Sequence, residues 1–179
     1  MVNTQPFLFG DGWIEVRDGN DTVRAIFDRH YSRYFYADGR APKLFLGPGE
    51  KLVLLTATAD AICAWRKFIS GDGQEGVNCA IFRREDGDVA SNLLASAREI
   101  AWQRWPGERL YTYVDPLHVP PTWRAGRPTW GHCFYQDGWK FAGLTKKRLH
   151  ILERLHGTHR EKRGRGDGRT EADMGLATF

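Results

Sequence analysis

A chain of 179 residues with 41% hydrophobic and 13% aromatic side chains can bury one ordinary core and is too apolar to stay unfolded. No apolar run nears the roughly 20 residues that would span a bilayer, and the opening Met1-Val2-Asn3-Thr4-Gln5-Pro6 lacks the basic and apolar regions of a signal peptide. The net charge of +4 is uneven: residues 146–169 hold nine Lys and Arg against three acids, or +6, which leaves −2 for the rest. Attraction to polyanions is therefore a C-terminal property.

Residues 12–17 alternate as a short strand (Trp13, Glu15 and Arg17 against Ile14 and Val16). Asn20 and Asp21 are good helix caps, and Val23, Ile26, Phe27 and His30 follow at helical spacing, predicting a helix over 22–32. The aromatic, turn-rich stretch 33–50 reads as loop. Residues 51–58 and 61–68 form a hairpin around Ala59-Asp60, and 77–83 is a third strand. Leu93, Leu94, Ala97, Ile100 and Ala101 mark an amphipathic helix over 91–104, closed by Pro106-Gly107. A buried strand at 110–114 precedes a loop over 116–130 with four prolines. A short helix at 130–137 and strands near 140–145 and 148–152 complete the order, a mixed α+β (α/β) sheet flanked by helices in a single domain, residues 1–155. Residues 156–179 are Gly- and Arg-rich with few apolar side chains, a flexible basic tail. Cys63, Cys79 and Cys133 are odd in number and lie in apolar surroundings, so they read as reduced, mostly buried thiols of a cytoplasmic protein.

Few side chains carry chemistry unambiguously. His30 falls at the end of the first helix, where the dipole favours it; it could equally be a base or a metal ligand. Asp115 ends the 110–114 strand, where ligands collect in α/β sheets, or it caps the next loop. His118 and His132 match no compact metal spacing. Tyr135 is either a proton donor or a ring packing the last helix on the sheet.

The segment Gly131-His132-Cys133-Phe134-Tyr135-Gln136-Asp137-Gly138-Trp139, after the 91–104 helix and 110–114 strand, resembles the last third of the GNAT acyltransferase superfamily. That resemblance implies that Tyr135 stands beside the acyl donor. Superfamily members hold a pyrophosphate on a glycine turn at a helix N-terminus. The matching stretch here is Arg84-Glu85-Asp86-Gly87-Asp88-Val89-Ala90, with Asn92 following; its Arg84 and Gly87 fit, but three carboxylates crowd it. One carboxylate about 4 Å from a phosphate costs roughly 1–4 kcal/mol, which argues against a coenzyme A ester as donor.

A narrower likeness rests on His30-Tyr31-Ser32-Arg33, Cys79-Ala80-Ile81-Phe82-Arg83-Arg84, Ala90-Ser91-Asn92-Leu93-Leu94, Tyr111-Thr112-Tyr113-Val114-Asp115 and the 131–139 segment. In this order they are similar to the Mom family of phage DNA-modification proteins, a divergent GNAT branch. The resemblance covers 27–145 and implies transfer of a carbamoylmethyl group to N6 of adenine in double-stranded phage DNA, which shields it from host restriction in the host cytoplasm. It implies metal-associated positions at His30, Tyr31 and Asp115, with iron as the suggested ion, and a transfer site lined by Arg83, Arg84, Ser91 and Tyr135. The donor stays unidentified. Here Val114-Asp115-Pro116 and the long 116–130 loop depart from the family's pattern.

Chemistry on a base inside a duplex requires flipping it into an aromatic pocket. Tyr34, Phe35, Tyr36, Trp123 and Trp130 lie in loops suited to stacking, while Arg33, Arg40, Lys43, Arg124 and Arg127 could hold phosphates. At least half of those rings are expected instead to anchor loops on the core. Two other functions compete with this one. A conventional acetyl-CoA-dependent N-acetyltransferase would need the Arg84–Ala90 turn to accept a pyrophosphate, and a non-catalytic DNA-binding protein would need no transfer site.

Overall fold

Residues 7–8 and 12–157 are described by a computed structural model. They build one α+β unit around a mixed, mostly antiparallel sheet of eight strands. In chain order the elements are β1 (Phe7–Leu8), β2 (Trp13–Val16), α1 (Asp21–Phe27), β3 (Glu50–Thr56), β4 (Ala61–Lys67), β5 (Val77–Arg84), α2 (Ala90–Arg104), β6 (Leu110–Val114), β7 (Thr122–Arg124), β8 (Arg127–Thr129), α3 (His132–Gln136), β9 (Lys140–Leu144) and β10 (His150–Arg154). The large sheet runs β1-β2-β3-β4-β5-β6-β10-β9, and β7 and β8 form a separate ribbon. Only β5 and β6 pair in parallel, because α2 carries the chain from one to the other.

The central strands read as continuous apolar runs because the sheet is covered on both faces. Along β3, Leu52 and Leu54 enter one core with Trp65, Cys79, α2 and Phe134 of α3; Val53 and Leu55 enter a second core with Val23, Ile26 and Phe27 of α1. On α2 the buried positions Leu93, Leu94, Ala97, Ile100 and Ala101 fall on one stripe, as their spacing requires.

Three expected elements shift. Asn20 caps α1 through Oδ1, which accepts from the N–H groups of Thr22 (3.0 Å) and Val23 (3.1 Å). The helix nevertheless stops at Phe27: Arg29 and His30 donate to Ile26 and Phe27 in tighter turns, and Arg33 Nη1 takes the Asp28 carbonyl at 2.9 Å. The last strand begins at His150 rather than 148, since Arg148 closes a turn at φ 66° with Thr145 and Leu149 hydrogen-bonded across it. The 116–130 segment holds the β7–β8 ribbon, with pairs Thr122↔Thr129, Trp123↔Pro128 and Arg124↔Arg127. The basic tail beyond Gly157 lies outside the described residues. No helix among those described is long and apolar enough to cross a membrane.

Candidate functional site

The sheet contains one built-in opening. β5 and β6 pair only at Val77↔Leu110 and Asn78↔Tyr111. Where the ladder ends, the Thr112 hydroxyl takes over by donating to the Cys79 carbonyl at 2.8 Å. One residue further along, β5 bulges: Ala64 pairs with Ile81 and Trp65 with Cys79, leaving Ala80 without a partner on β4. Beyond that point the two strands diverge around a cleft of about 170 Å³, lined by Ala80, Phe82, Val114, Cys133, Phe134 and Tyr31 among others. The cleft sits at the C-terminal ends of the one parallel pair, the place where open α/β sheets collect ligands.

His30 and Tyr31 bring the segment after α1 to this cleft, and the stretch after β6 lays His118, with Asp115 beside it, against Tyr31. The rings of His30 and Tyr31 stack at 4.4 Å, and Tyr31 lies nearly parallel to His118 at 5.6 Å. Asp115 Oδ2 sits 2.8 Å from His118 Nδ1, while Oδ1 accepts from Leu117 N–H at 2.9 Å. The Leu117 N–H first, and His118 second, hold the Asp115 carboxyl below its ordinary range. His30 is a different kind of group. Its Nδ1 accepts from the Ser32 main-chain N–H at 3.1 Å and lies 2.7 Å from Ser32 Oγ. Burial, then the neighbouring Arg83 charge, lower its pKa to about 4, so His30 is neutral at pH 7. Burial likewise raises the Tyr31 hydroxyl above its usual value, and that hydroxyl hydrogen-bonds the Asp115 main chain.

His30 and Tyr31 line the cleft, and Asp115 lies beside Tyr31 through its main chain. His30 Nδ1 meets Ser32 and both Asp115 oxygens are engaged by protein groups, and the described residues gather no cluster of three His, Cys, Asp or Glu side chains able to hold an ion. His118 is a site residue that sequence spacing alone did not single out. Its signal was local: an Asp three residues upstream, on a turn closed by His118 N–H and Val119 N–H to the Asp115 carbonyl.

The other expected residues fall around this centre. Arg83 Nε donates to Glu85 at 3.0 Å, and Glu85 also receives Arg29; Arg29 first and Arg83 second hold its carboxyl down at about 2. Arg84 is exposed at the end of β5, paired in register with Ala61. Ser91 is half-buried in the first turn of α2, and exposed Asn92 reaches Asp88 Oδ1 at 3.4 Å. The helix itself has no side-chain cap, since Val89 stands at the N-cap. Its approach is acidic, however: Gly87 turns at φ 82° directly over the Asp60 carboxylate, where an added Cβ would lie 2.7 Å from Oδ2. Asp60, Glu85, Asp86 and Asp88 all crowd this turn, the opposite of a phosphate cradle. Tyr135 packs on the α2–α3 core and carries the Arg124 guanidinium 5.1 Å over its ring. Its neighbours Cys133 and Phe134, rather than Tyr135, line the cleft.

On the α1 side of the sheet Ala80 also borders a second, open pocket of about 760 Å³. Phe27, Tyr34, Tyr36, Phe45 and Lys43 line it. Tyr34 and Tyr36 meet edge to face at 5.6 Å and are 59% and 47% exposed, so aromatic surface stands free there. Of the expected phosphate contacts, Arg40 is paired with Asp38 (2.7 Å) on the surface, and Arg33 lies 4.2 Å over Phe35. Trp130 is an anchor, half-buried against the core and His150, whereas Trp123 is not.

Comparison of the chain with protein families, with characterised proteins and with solved structures finds no match in any of the three.

Proposed function

We propose that this protein is a GNAT-like group transferase that modifies DNA, adding a carbamoylmethyl group to N6 of adenine. The observation that supports this reading is a pair of spaces that share Ala80 as a lining residue: a small cleft between the diverging β5 and β6, and an open aromatic pocket on the α1 side. A flipped adenine stacks in the second, between Tyr34, Tyr36 and Phe45, and presents its amino group across Ala80 to the first. In the transfer the N6–C bond forms, the donor's leaving group departs with its electron pair, and the N6 proton goes to the Asp115–His118 pair, which adjoins the cleft through Tyr31. Tyr135, which packs beside the cleft under Arg124, is the proposed proton donor to the leaving group. The donor is an activated carbamoylmethyl compound rather than a coenzyme A ester, because the α2 approach carries carboxylates where a pyrophosphate would need amides alone.

A conventional acetyltransferase has one observation in its favour, the uncapped α2 N-terminus. Mass spectrometry of nucleosides from DNA of cells making the protein separates the two. A deoxyadenosine species heavier by a carbamoylmethyl group is expected; unmodified nucleosides together with saturable acetyl-CoA binding would replace this reading with the second.

A further inference from the structure

The β7–β8 ribbon stands outside both cores and outside the main sheet, yet it springs from the segment that lines the cleft through Val119 and Gly131. Its two-residue turn, Ala125-Gly126, has positive φ at both positions (47° and 74°), the tight geometry that matches strand twist and makes a stiff ribbon. Thr122 and Thr129 clamp its base, with Thr129 Oγ1 donating to the Thr122 carbonyl at 3.0 Å.

Alternation along β7 sorts its side chains. Thr122 and Arg124 face the protein, towards His132 (3.4 Å) and the Tyr135 ring (5.1 Å). Trp123 therefore faces away, across the ladder from exposed Pro128, and is 72% exposed. An indole held out on a stiff ribbon contributes nothing to either core. At the tip Arg124 and Arg127 lie directly opposite each other, an unfavourable like-charge pair in isolation. Among the described residues neither has an acidic partner. In register the two arginines share the ribbon face opposite Trp123, Arg124 lying over the Tyr135 ring and Arg127 exposed at the tip, so the ribbon presents an aromatic blade with a cation at its end.

We propose that this ribbon is a duplex-opening wedge: Trp123 enters the base stack where the target nucleotide leaves it, and the exposed Arg127 at the tip holds a neighbouring phosphate. This rests on the DNA-modification reading. Apolar wedges between base steps, backed by arginines, are a general means of holding a distorted duplex. The ribbon is rooted on the α3 face of the sheet and the aromatic pocket lies on the α1 face, and the two sides meet at the cleft through the Tyr31–His118 stack. A base could thus be displaced from one side and received on the other.

The test is fluorescence anisotropy with the full chain on a 30-base-pair duplex and on the same duplex carrying one abasic site, a stack already open. The wild-type protein is expected to bind the abasic duplex about tenfold more tightly, the size of one base–aromatic stacking contact. Trp123→Phe should keep most of that preference, while Trp123→Ala, with an unchanged melting temperature, should bind both duplexes alike. Arg127→Ala should weaken both equally and reduce the salt slope by about one. Equal wild-type binding to the two duplexes, or a preference that survives Trp123→Ala, overturns the wedge while leaving DNA modification standing. No binding to either duplex overturns the DNA reading itself, and with it the wedge.

Discussion

The wall of the cleft on the α3 side depends on one buried ion pair, and removing half of it is the sharpest test of the architecture. The Asp137 side chain is 4% exposed and that of Arg98 12%. Two parallel bonds join them, Arg98 Nε to Oδ2 at 2.8 Å and Nη2 to Oδ1 at 3.0 Å, and Trp139 Nε1 donates to Oδ2 at 2.9 Å. The carboxylate thereby ties α2 to the end of α3, whose Cys133 and Phe134 line the cleft. Asp137→Ala leaves a guanidinium and an indole N–H without their buried partner. Glu99 still meets Arg98 Nη1, but its side chain is 56% exposed and the pair is screened by water.

Breaking a buried pair in this way costs about 3–5 kcal/mol. Near the middle of that range the melting temperature falls by about 8–16 °C for a domain of this size. Urea unfolding followed by circular dichroism measures the loss directly, with an unchanged m-value as the sign that both variants unfold from the same fold. The companion is Arg98→Met with Asp137→Leu, which removes both charges and should be less destabilised than Asp137→Ala alone. A loss below about 1 kcal/mol for the single variant, or a double variant no better than the single, would refute the argument that a stranded charge is the cause.

Three further outcomes are expected. His30 has a folded pKa of about 4 against an unfolded value of about 6.5, so the unfolded chain binds more protons between them; its contribution is full above about pH 6.5 and is lost as pH falls towards 4. His30→Gln should flatten that part of the stability profile by on the order of 2 kcal/mol, a comparison between variants being needed because His150, also lowered by burial, acts in the same direction; an unchanged slope would show His30 to be solvated. Tyr135→Phe keeps the ring under Arg124 and removes only the hydroxyl, so adenine modification should disappear with the melting temperature intact, and full activity would move the proton donor elsewhere. Cys63 and Cys79 are buried and burial pushes the Cys133 thiol up to about 11, so Ellman's reagent at pH 8 should find less than one thiol in minutes on the folded protein and all three in urea; rapid reaction in the native state would contradict the packing around the cleft.

Much of the scaffold was legible because hydrophobic period decides it. The runs expected at 51–58, 61–68, 77–83 and 110–114 correspond to the strands Glu50–Thr56, Ala61–Lys67, Val77–Arg84 and Leu110–Val114, and the 91–104 stripe to the helix Ala90–Arg104, since each must bury its apolar side chains on a covered sheet. The β7–β8 ribbon escaped because it buries almost nothing: its strands have three residues each, and four prolines spread over 116–130 read as loop. Its one local signal was Ala125-Gly126, a glycine at the second turn position between two arginines. The Asp115–His118 pair was also local, three residues apart, but an Asp before a proline reads equally as the cap of the following loop.

The cleft was not legible, for a reason that lies in how it is made. No motif opens it; it arises because parallel pairing between β5 and β6 is cut off after two residue pairs and β5 gains one residue at Ala80. A bulge is a relation between two strands, and an alanine in an apolar run carries no mark of it. Gly131 shows the same logic from the other wall. It starts α3 at φ 86°, and a Cβ there would lie 3.1 Å from both Leu152 and Val114, so its meaning depends on β10 and β6, which are distant or separate in sequence. What the chain spells out locally is the set of side chains that can do chemistry. Which of them face one space is decided by strand register, and that is why Cys133 and Phe134 stand in the cleft while the more conspicuous Tyr135 stands beside it under Arg124.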